Sequence, residues 1–261
     1  MHPKDFLDEC SELVRQVLQF EHPADSVVSR FFRDNRSLGP RERATLAETV
    51  YTVLRKKLLF DHLAPSGSGS KQRRLAILGF HGPRDFLYGA LTDQEKTWLE
   101  NCDKVKTEDL LDRHRHNLPE WLVQPLKEQL KDEFWPLVES LVHGAGLDLR
   151  VNAMTAKRDD VQKELAKVGI KSVATPYSPY GLRLADKPAL TKLDAFTRGA
   201  IEVQDEGSQL LALLLDAKRG EMVVDFCAGA GGKTLAIGAG MRSTGRLYAF
   251  DTSGHRLDAL K

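Results

Sequence analysis

The stretch Val223-Val-Asp-Phe-Cys-Ala-Gly-Ala-Gly-Gly-Lys-Thr234 decides the fold of the last part of the chain. It starts within the apolar run 222–226, which predicts a buried parallel strand. Glycines at positions 229, 231 and 232 then predict a turn, and the following segment predicts a helix. Glycine lets the backbone approach a bound molecule closely and adopt conformations closed to residues with a Cβ atom. The stretch therefore predicts a small-ligand loop between a strand and a helix.

Three kinds of glycine loop compete for this stretch. A phosphate-binding P-loop needs a glycine five residues before Gly232, where this chain has Cys227, so its spacing fails. The dinucleotide fingerprint needs a third glycine where Thr234 stands, which weakens that interpretation but leaves it open. A methyltransferase loop needs an acid at the end of the first strand and a glycine turn, and Asp225 supplies the acid.

A second acidic residue supports a nucleoside cofactor. The next predicted strand, residues 246–250, is followed by Asp251, about twenty residues past the glycines, where a carboxylate can accept hydrogen bonds from ribose hydroxyls. NAD and S-adenosylmethionine both need such an acid. The glycine spacing then favours S-adenosylmethionine.

The composition limits the class of protein. With 41% hydrophobic and 29% charged residues and a net charge of +1, the 261-residue chain fits neither a disordered protein nor a globally basic nucleic-acid coat. Cys10, Cys102 and Cys227 lie far apart, so neither a disulfide framework nor a zinc site is predicted. The start of the chain shows no apolar run that could act as a signal or span a bilayer. We expect a cytoplasmic protein without a metal.

Hydrophobic spacing predicts the order of elements. Apolar residues at three- and four-residue steps predict a helical bundle over roughly the first 145 residues, with the connection Ser66–Ser70 as a flexible loop inside it. Beyond it, alternating residues predict a small α+β unit and then a further helix. The predicted strands are 148–154, 172–175 and 182–185, and the predicted helices are 158–168 and 207–218.

Residues 225–234 resemble the cofactor loop Asp-x-Cys-Ala-x-x-Gly-Gly-Lys-Thr of the RsmB/Nop/Sun family of RNA cytosine-C5 methyltransferases. The element Gly199-Ala-Ile-Glu-Val-Gln-Asp-Glu-Gly-Ser-Gln209 resembles the motif that precedes the family's catalytic domain. Further segments are similar to the family's small RNA-recognition-like domain (149–152 and 175–179), to the helix leading into it (118–122), and to the NusB-like domain of the ribosomal RNA branch (38–43 and 48–51). Ala230 departs from the proline frequent in the family, which changes the stiffness of the loop more than its chemistry.

The resemblance implies a multidomain α and α/β protein. Its parts would be an N-terminal helical NusB-like bundle (1–145), a small α+β RNA-recognition-like domain (146–206) and the start of a Rossmann-like methyltransferase domain (207–261). The implied cofactor is S-adenosyl-L-methionine and the implied partner is RNA, ribosomal RNA in particular, bound by a monomer. The implied cofactor-binding residues are Asp225, Cys227, Ala228, Gly229, Ala230, Gly231, Gly232, Lys233 and Asp251.

The resemblance also implies what this chain lacks. C5 of cytosine is too electron-poor to attack a methyl sulfonium, so such enzymes first add a cysteine thiolate to C6. In the family the nucleophile follows later strands, so we expect it beyond Lys261, name no catalytic residue, and expect a C-terminally truncated, inactive fragment. Cys227 is expected to pack beside the ligand, and Cys10 to fill the core.

Local groups of cations indicate where RNA phosphates could bind. They are Arg30, Arg33, Arg36, Arg41 and Arg43, then Lys71, Arg73 and Arg74, then Arg113 and Arg115, and interspersed acids favour a mixed solvated face equally well. His114 and His116 lack metal-ligand partners in spacing. The alternatives are a non-catalytic RNA-binding module with a vestigial cofactor loop and an oxidoreductase that uses NAD.

Overall fold

The computed structural model describes residues 1–260, apart from the side chain of residue 259. The chain divides into two compact units, Met1–Gly144 and Ala145–Lys261, each with its own packing.

The first unit is helical, as predicted. Its helices are α1 (Pro3–Val17), α2 (Ala24–Asp34), α3 (Pro40–Arg55), α4 (Lys57–Leu63), α5 (Lys71–Leu78), α6 (Arg84–Tyr88), α7 (Asp93–Asp103), α8 (Asp112–His116), α9 (Glu120–Leu130) and α10 (Phe134–Leu141). The apolar stripe of α1 packs against α3 and α5, so that Leu13, Leu46 and Leu75 are fully buried. A smaller cluster around Phe134 joins α9 and α10.

The serine-glycine connection is a loop inside this bundle, as predicted, but it is anchored at both ends. Ser66 Oγ accepts a hydrogen bond of 2.9 Å from the indole Nε1 of Trp98. Ser70 caps α5 by accepting a hydrogen bond from the backbone N–H of Arg73. A side-chain cap of this kind satisfies one of the free N–H groups at a helix start.

The second unit opens with a four-stranded antiparallel sheet in the order β2-β3-β1-β4. Its strands are β1 (Leu147–Val151), β2 (Ser172–Ala174), β3 (Gly181–Leu184) and β4 (Ile201–Val203), with helices α11 (Arg158–Lys167) and α12 (Asp194–Thr197) between them. Leu149, Leu182 and Ile201 from three strands pack with Val161 and Leu165 of α11 in one core. The predicted α+β unit is confirmed, because alternating strand residues meet the apolar face of one helix.

The end of the second unit is a strand-helix-strand segment preceded by a helix. It comprises α13 (Glu206–Leu214), β5 (Met222–Asp225), α14 (Gly232–Gly240), β6 (Arg246–Ala249) and the short α15 (Gly254–Leu257). Strands β5 and β6 are parallel and α13 packs against α14.

One prediction about β5 is wrong. The strand is parallel as expected, but it is not buried: Met222 is 69% exposed, Val224 is 53% exposed and Phe226, just after it, is 78% exposed. Residues alternate between the two faces of a strand, and within the described residues only the face carrying Val223 and Leu247 turns toward α14. The apolar run identified the strand, but it did not reveal that the second face of the strand is exposed.

Candidate cofactor site

Strands β5 and β6 bring the two predicted acids to the same edge of the sheet. Asp225 ends β5 in register with Ala249, and Asp251 follows β6 two residues later. The pairing continues past the strands, because Ala228 N–H donates to the carbonyl of Phe250 at 2.8 Å and Phe250 N–H donates to the carbonyl of Asp225 at 2.9 Å. The glycine turn therefore lies directly beside the end of β6.

The turn requires glycine at two positions. Gly229 has φ +57° and Gly231 has φ +88°, both in the left-handed region that side chains with a Cβ atom avoid. Both glycines are also closely packed, since a Cβ at Gly229 would lie 2.9 Å from Arg256 Nη2 and one at Gly231 would lie 1.9 Å from Leu260 Cδ2. The predicted strand-turn-helix geometry is thus present around residues 229–232.

Asp225 holds the turn at its far end. Its Oδ2 accepts a hydrogen bond of 2.7 Å from the hydroxyl of Thr234, a buried residue in the first turn of α14. This contact joins the end of β5 to the start of the helix across the glycine loop. Asp225 therefore shapes the loop in addition to supplying charge near it.

Asp251 holds the turn at its near end. Its Oδ2 accepts a hydrogen bond of 2.9 Å from Gly229 N–H, and its Oδ1 accepts one of 2.9 Å from Ser253 N–H. These backbone donors, Ser253 first, and the nearby Arg256 guanidinium hold the pKa of Asp251 below its usual range. Because a carboxylate has about four acceptor positions, both oxygens keep capacity for further donors such as hydroxyls.

The remaining predicted residues line the same loop. Ala228 is buried, whereas Cys227, Ala230 and Lys233 are exposed. Helix α14 begins at Gly232 with Gly231 as its N-cap, and no side chain caps it. The first N–H groups of a helix carry partial positive charge and suit an anionic group. Among the described residues, the nine predicted site residues thus surround one turn and its helix start.

The upstream motif forms a buried polar cluster that the sequence alone did not assign. Glu206 Oε1 accepts hydrogen bonds from the backbone N–H groups of Tyr177 (2.7 Å) and Ser178 (2.8 Å). Gln209 accepts a hydrogen bond of 2.7 Å from the Ser178 hydroxyl and donates to the carbonyls of Leu149 and Gln204. The motif therefore ties α13 to β1 and to the loop before β3.

Two further polar pairs complete this cluster. Asp148, 4% exposed, accepts two hydrogen bonds from the Arg183 guanidinium and one from Glu206 N–H. Arg150, also 4% exposed, donates from Nε to Gln204 Oε1 at 2.6 Å. Burial lowers the pKa of Arg150. The sequence feature that could have predicted this cluster is the presence of polar residues within an otherwise apolar stretch, because buried polar groups need hydrogen-bond partners.

Several cations predicted as RNA contacts are used inside the first unit. Arg73 pairs with the buried Glu95 at 2.6 Å and with Asp8 at 3.2 Å, and Arg74 donates to the carbonyl of Gly67. Arg115 lies over the ring of Trp135 at 4.1 Å. The exposed residues Arg30, Arg33, Arg36 and Arg41 have no ion pair within residues 1–260. These four remain available to phosphates, as does the exposed Arg113, which hydrogen bonds His114 and has no ion pair in that part of the chain either.

The rings of His114 and His116 contact other protein groups. The His114 ring stacks on His62 with centroids 4.1 Å apart, and its Nε2 accepts a hydrogen bond from Arg113. His116 Nδ1 accepts one from Leu118 N–H. Over the described part of the chain, no three His, Cys, Asp or Glu side chains converge as a metal site would require. Nor does any described helix combine the length and the apolar character needed to cross a bilayer.

Two family models match parts of the chain from residue 118 onward. The ferredoxin-like domain of RsmF/B-like methyltransferases matches residues 118–191, and the 16S rRNA methyltransferase RsmB/F model matches residues 212–261. The first match starts in the helices before the sheet, and the second contains the glycine loop. Both models describe methyltransferases, so these two regions of the chain resemble that class of protein.

Curated relatives agree with these matches, and a solved structure shares the fold. The probable ribosomal RNA small subunit methyltransferase B of Synechocystis is 28% identical over 96% of this chain and 56% of its own length. The ribosomal RNA small subunit methyltransferase B of Pasteurella multocida is 40% identical over 49% of this chain and 28% of its own length. The crystal structure of PH0851, 23% identical, superposes with a TM-score of 0.72 over 100% of this chain and 66% of that one.

The chain is similar to RsmB/F methyltransferases over residues 118–191 and 212–261, which confirms the resemblance seen in its motifs. The family's cofactor is S-adenosyl-L-methionine, as predicted. The chain spans about half the length of the Synechocystis relative. The family-model matches start at residue 118, so the NusB-like character of the first unit stays a prediction.

Proposed function

We propose that this chain provides the cofactor loop and the RNA-positioning domains for S-adenosyl-L-methionine-dependent methylation of cytosine C5 in ribosomal RNA. One observation carries the proposal. Asp225 and Asp251 bind opposite ends of the same glycine turn, through Thr234 and Gly229 respectively. A carboxylate-flanked turn with an uncapped helix start suits a nucleoside with an amino-acid tail, and it presents no P-loop or complete dinucleotide fingerprint.

Individual residues fit different parts of this cofactor. The acidic Asp251 would accept hydrogen bonds from the ribose hydroxyls, and its backbone partners already hold it in the ionised form. Residues 227–233 would line the methionine end, where the N–H groups of Gly232 and Lys233 start α14. When bound, the cofactor supplies an electrophilic methyl group on a sulfonium.

The cysteines of the first unit are unsuited to attack C6 of cytosine. Burial raises the pKa of the Cys10 thiol to about 12, with a smaller contribution from Glu9. Burial and then Asp103 also raise the pKa of Cys102. Only the thiolate is a nucleophile, so both thiols stay inert near neutral pH. Cys227 is exposed but stands in the glycine loop, where we assign it to the wall of the cofactor site.

The domain roles follow the same proposal. Residues 1–145 would form a NusB-like RNA-binding domain, residues 146–206 the RNA-recognition-like domain and residues 207–261 the first part of the Rossmann-like domain. The exposed Arg30, Arg33, Arg36 and Arg41 would contact RNA phosphates, and the protein would act as a monomer in the cytoplasm. A single-stranded region is the suitable substrate, because a base must leave its stack to reach a cofactor at a sheet edge.

Calorimetric titration of this chain with S-adenosyl-L-methionine tests the proposal. Asp251→Asn should weaken binding at least about tenfold, since hydrogen bonds to a charged group contribute roughly 1.5–3 kcal/mol each. Asp216→Asn, on an exposed turn with φ +50° that asparagine tolerates, is the matched control and should bind normally. NADH should not compete.

Two results would contradict the proposal. Absence of binding by the unmodified chain would favour the RNA-binding module with a vestigial loop. Displacement of the ligand by NADH would favour the oxidoreductase.

A further inference from the structure

Gln204, in the upstream motif, is held in one orientation by Arg150. The residue is 6% exposed, and its Oε1 lies 2.6 Å from Arg150 Nε. An arginine can only donate hydrogen bonds, so the Gln204 atom that faces it must be the amide oxygen. The backbone is fixed as well, because Gln204 N–H donates to the carbonyl of Asp148 and its carbonyl accepts from Gln209. The amide nitrogen therefore points away from Arg150.

That nitrogen faces the first residue of α14. A Cβ built on Gly232 would lie 3.6 Å from Gln204 Nε2, which makes this amide the nearest side chain to that position. Within residues 1–260, Nε2 donates no hydrogen bond, although the side chain is more than nine-tenths buried. Gln204 Nε2 is not among the enclosed polar atoms that lack a partner in the described part of the chain, so it keeps contact with solvent and is free to donate to a ligand at this loop.

We propose that Gln204 is a cofactor-contacting residue whose amide N–H donates to the carboxylate of the amino-acid end of S-adenosyl-L-methionine. The inference rests on the proposed function and adds a donor from outside the glycine loop. The start of α14 supplies the favourable end of the helix dipole for that carboxylate, and Gln204 Nε2 supplies a side-chain donor at Gly232. Arg150 is a positioning residue, because it fixes which end of the amide faces the loop.

The placement predicts a ligand-selective effect. S-adenosylhomocysteine carries the amino-acid end, whereas 5′-methylthioadenosine keeps the nucleoside and lacks that end. Gln204→Met, similar in size, should weaken S-adenosylhomocysteine binding to this chain about tenfold and leave methylthioadenosine binding unchanged. Gln204→Glu should weaken S-adenosylhomocysteine binding further, because the new carboxylate would repel the carboxylate of the ligand. Calorimetry measures the affinity of each variant for both ligands.

Two companion variants separate contact from folding. Gln162→Met removes an amide of the same unit that bonds the carbonyl of Ser172, and should leave both affinities unchanged. Arg150→Met should weaken S-adenosylhomocysteine selectively, because the freed amide loses its fixed orientation.

The proposal for Gln204 is overturned if Gln204→Met weakens both ligands equally or neither, while its thermal unfolding midpoint shows a folded chain. If the unmodified chain binds neither ligand, the proposed function itself fails, and this inference with it.

Discussion

The two sheets of the second unit use apolar residues in opposite ways. In the four-stranded sheet, Leu149 and Leu182 are 0% exposed and pack against α11. In the two-stranded sheet, Val224 is 53% and Tyr248 is 43% exposed on one face. The first sheet is therefore held by its own core, whereas the second is ordered at its edge by polar contacts around the glycine turn. The difference separates a region that carries stability from the region that we propose binds the ligand.

The largest expected effect tests this division directly. Leu149→Ala should lower the free energy of unfolding by about 2–5 kcal/mol, because it opens a cavity in a packed core. The matched variant Val224→Ala removes an exposed apolar side chain and should change the free energy of unfolding by less than about 0.5 kcal/mol. Urea denaturation followed by circular dichroism measures both. Equal losses would show that β5 is as well packed as β1, and the comparison would not hold.

A smaller effect is expected at the turn of the second sheet. Gly231→Ala should cost about 1–3 kcal/mol, because a Cβ at φ +88° is strained and would also meet the Leu260 side chain. It should also abolish measurable S-adenosyl-L-methionine binding by distorting the start of α14.

Gly240 offers a control at the other end of the same helix. A Cβ there would have no neighbour within 4 Å, so Gly240→Ala should be neutral or stabilise by up to about 1 kcal/mol. Thermal unfolding and calorimetry of the two variants should therefore diverge. Normal cofactor binding by Gly231→Ala would contradict the assignment of this turn as the ligand loop.

The regular elements were predictable from hydrophobic spacing. Helix α11 was predicted over 158–168 and spans Arg158–Lys167, and the strand predicted over 172–175 spans Ser172–Ala174. Such patterns show which face of a helix or strand is apolar, and that face usually packs against another element. The burial of β5 was predicted wrongly for the same reason: Met222, Val223 and Val224 place apolar side chains on both faces, and only one face is covered within the described residues.

The site was predictable only in part. Glycine spacing and two acids predicted the turn, because those residue types act through the local backbone. The Arg150–Gln204 bond joins residues 54 positions apart and depends on the antiparallel pairing of β1 with β4, which no local pattern encodes. Arg73 shows the converse: its charge suggested a phosphate contact, but Glu95, 22 positions away, already binds it.

The smallest expected effect concerns how the polar cluster of the first sheet responds to acid. Arg183 hydrogen bonds lower the pKa of Asp148. Burial would raise the pKa of Glu206, but the N–H groups of Ser178 and Tyr177 outweigh it, and the pKa is lowered. A carboxyl whose pKa is lower in the folded state than in the unfolded state contributes stability above the unfolded value. That stability is lost as pH falls through the folded value.

The four-stranded sheet should therefore lose stability as pH falls below about 4.5, the ordinary glutamate value, and continue to lose it below the ordinary aspartate value near 3.8. Asp148→Asn should lower the midpoint of urea denaturation at pH 7. The midpoint should also fall less steeply between pH 5 and pH 3, because only Glu206 of the two carboxyls with a lowered pKa remains. Asp159→Asn, on the exposed first turn of α11, should keep the original decline. A decline as steep in Asp148→Asn as in the unmodified chain would mean that the acid response arises elsewhere, and that the polar cluster of the first sheet does not set it.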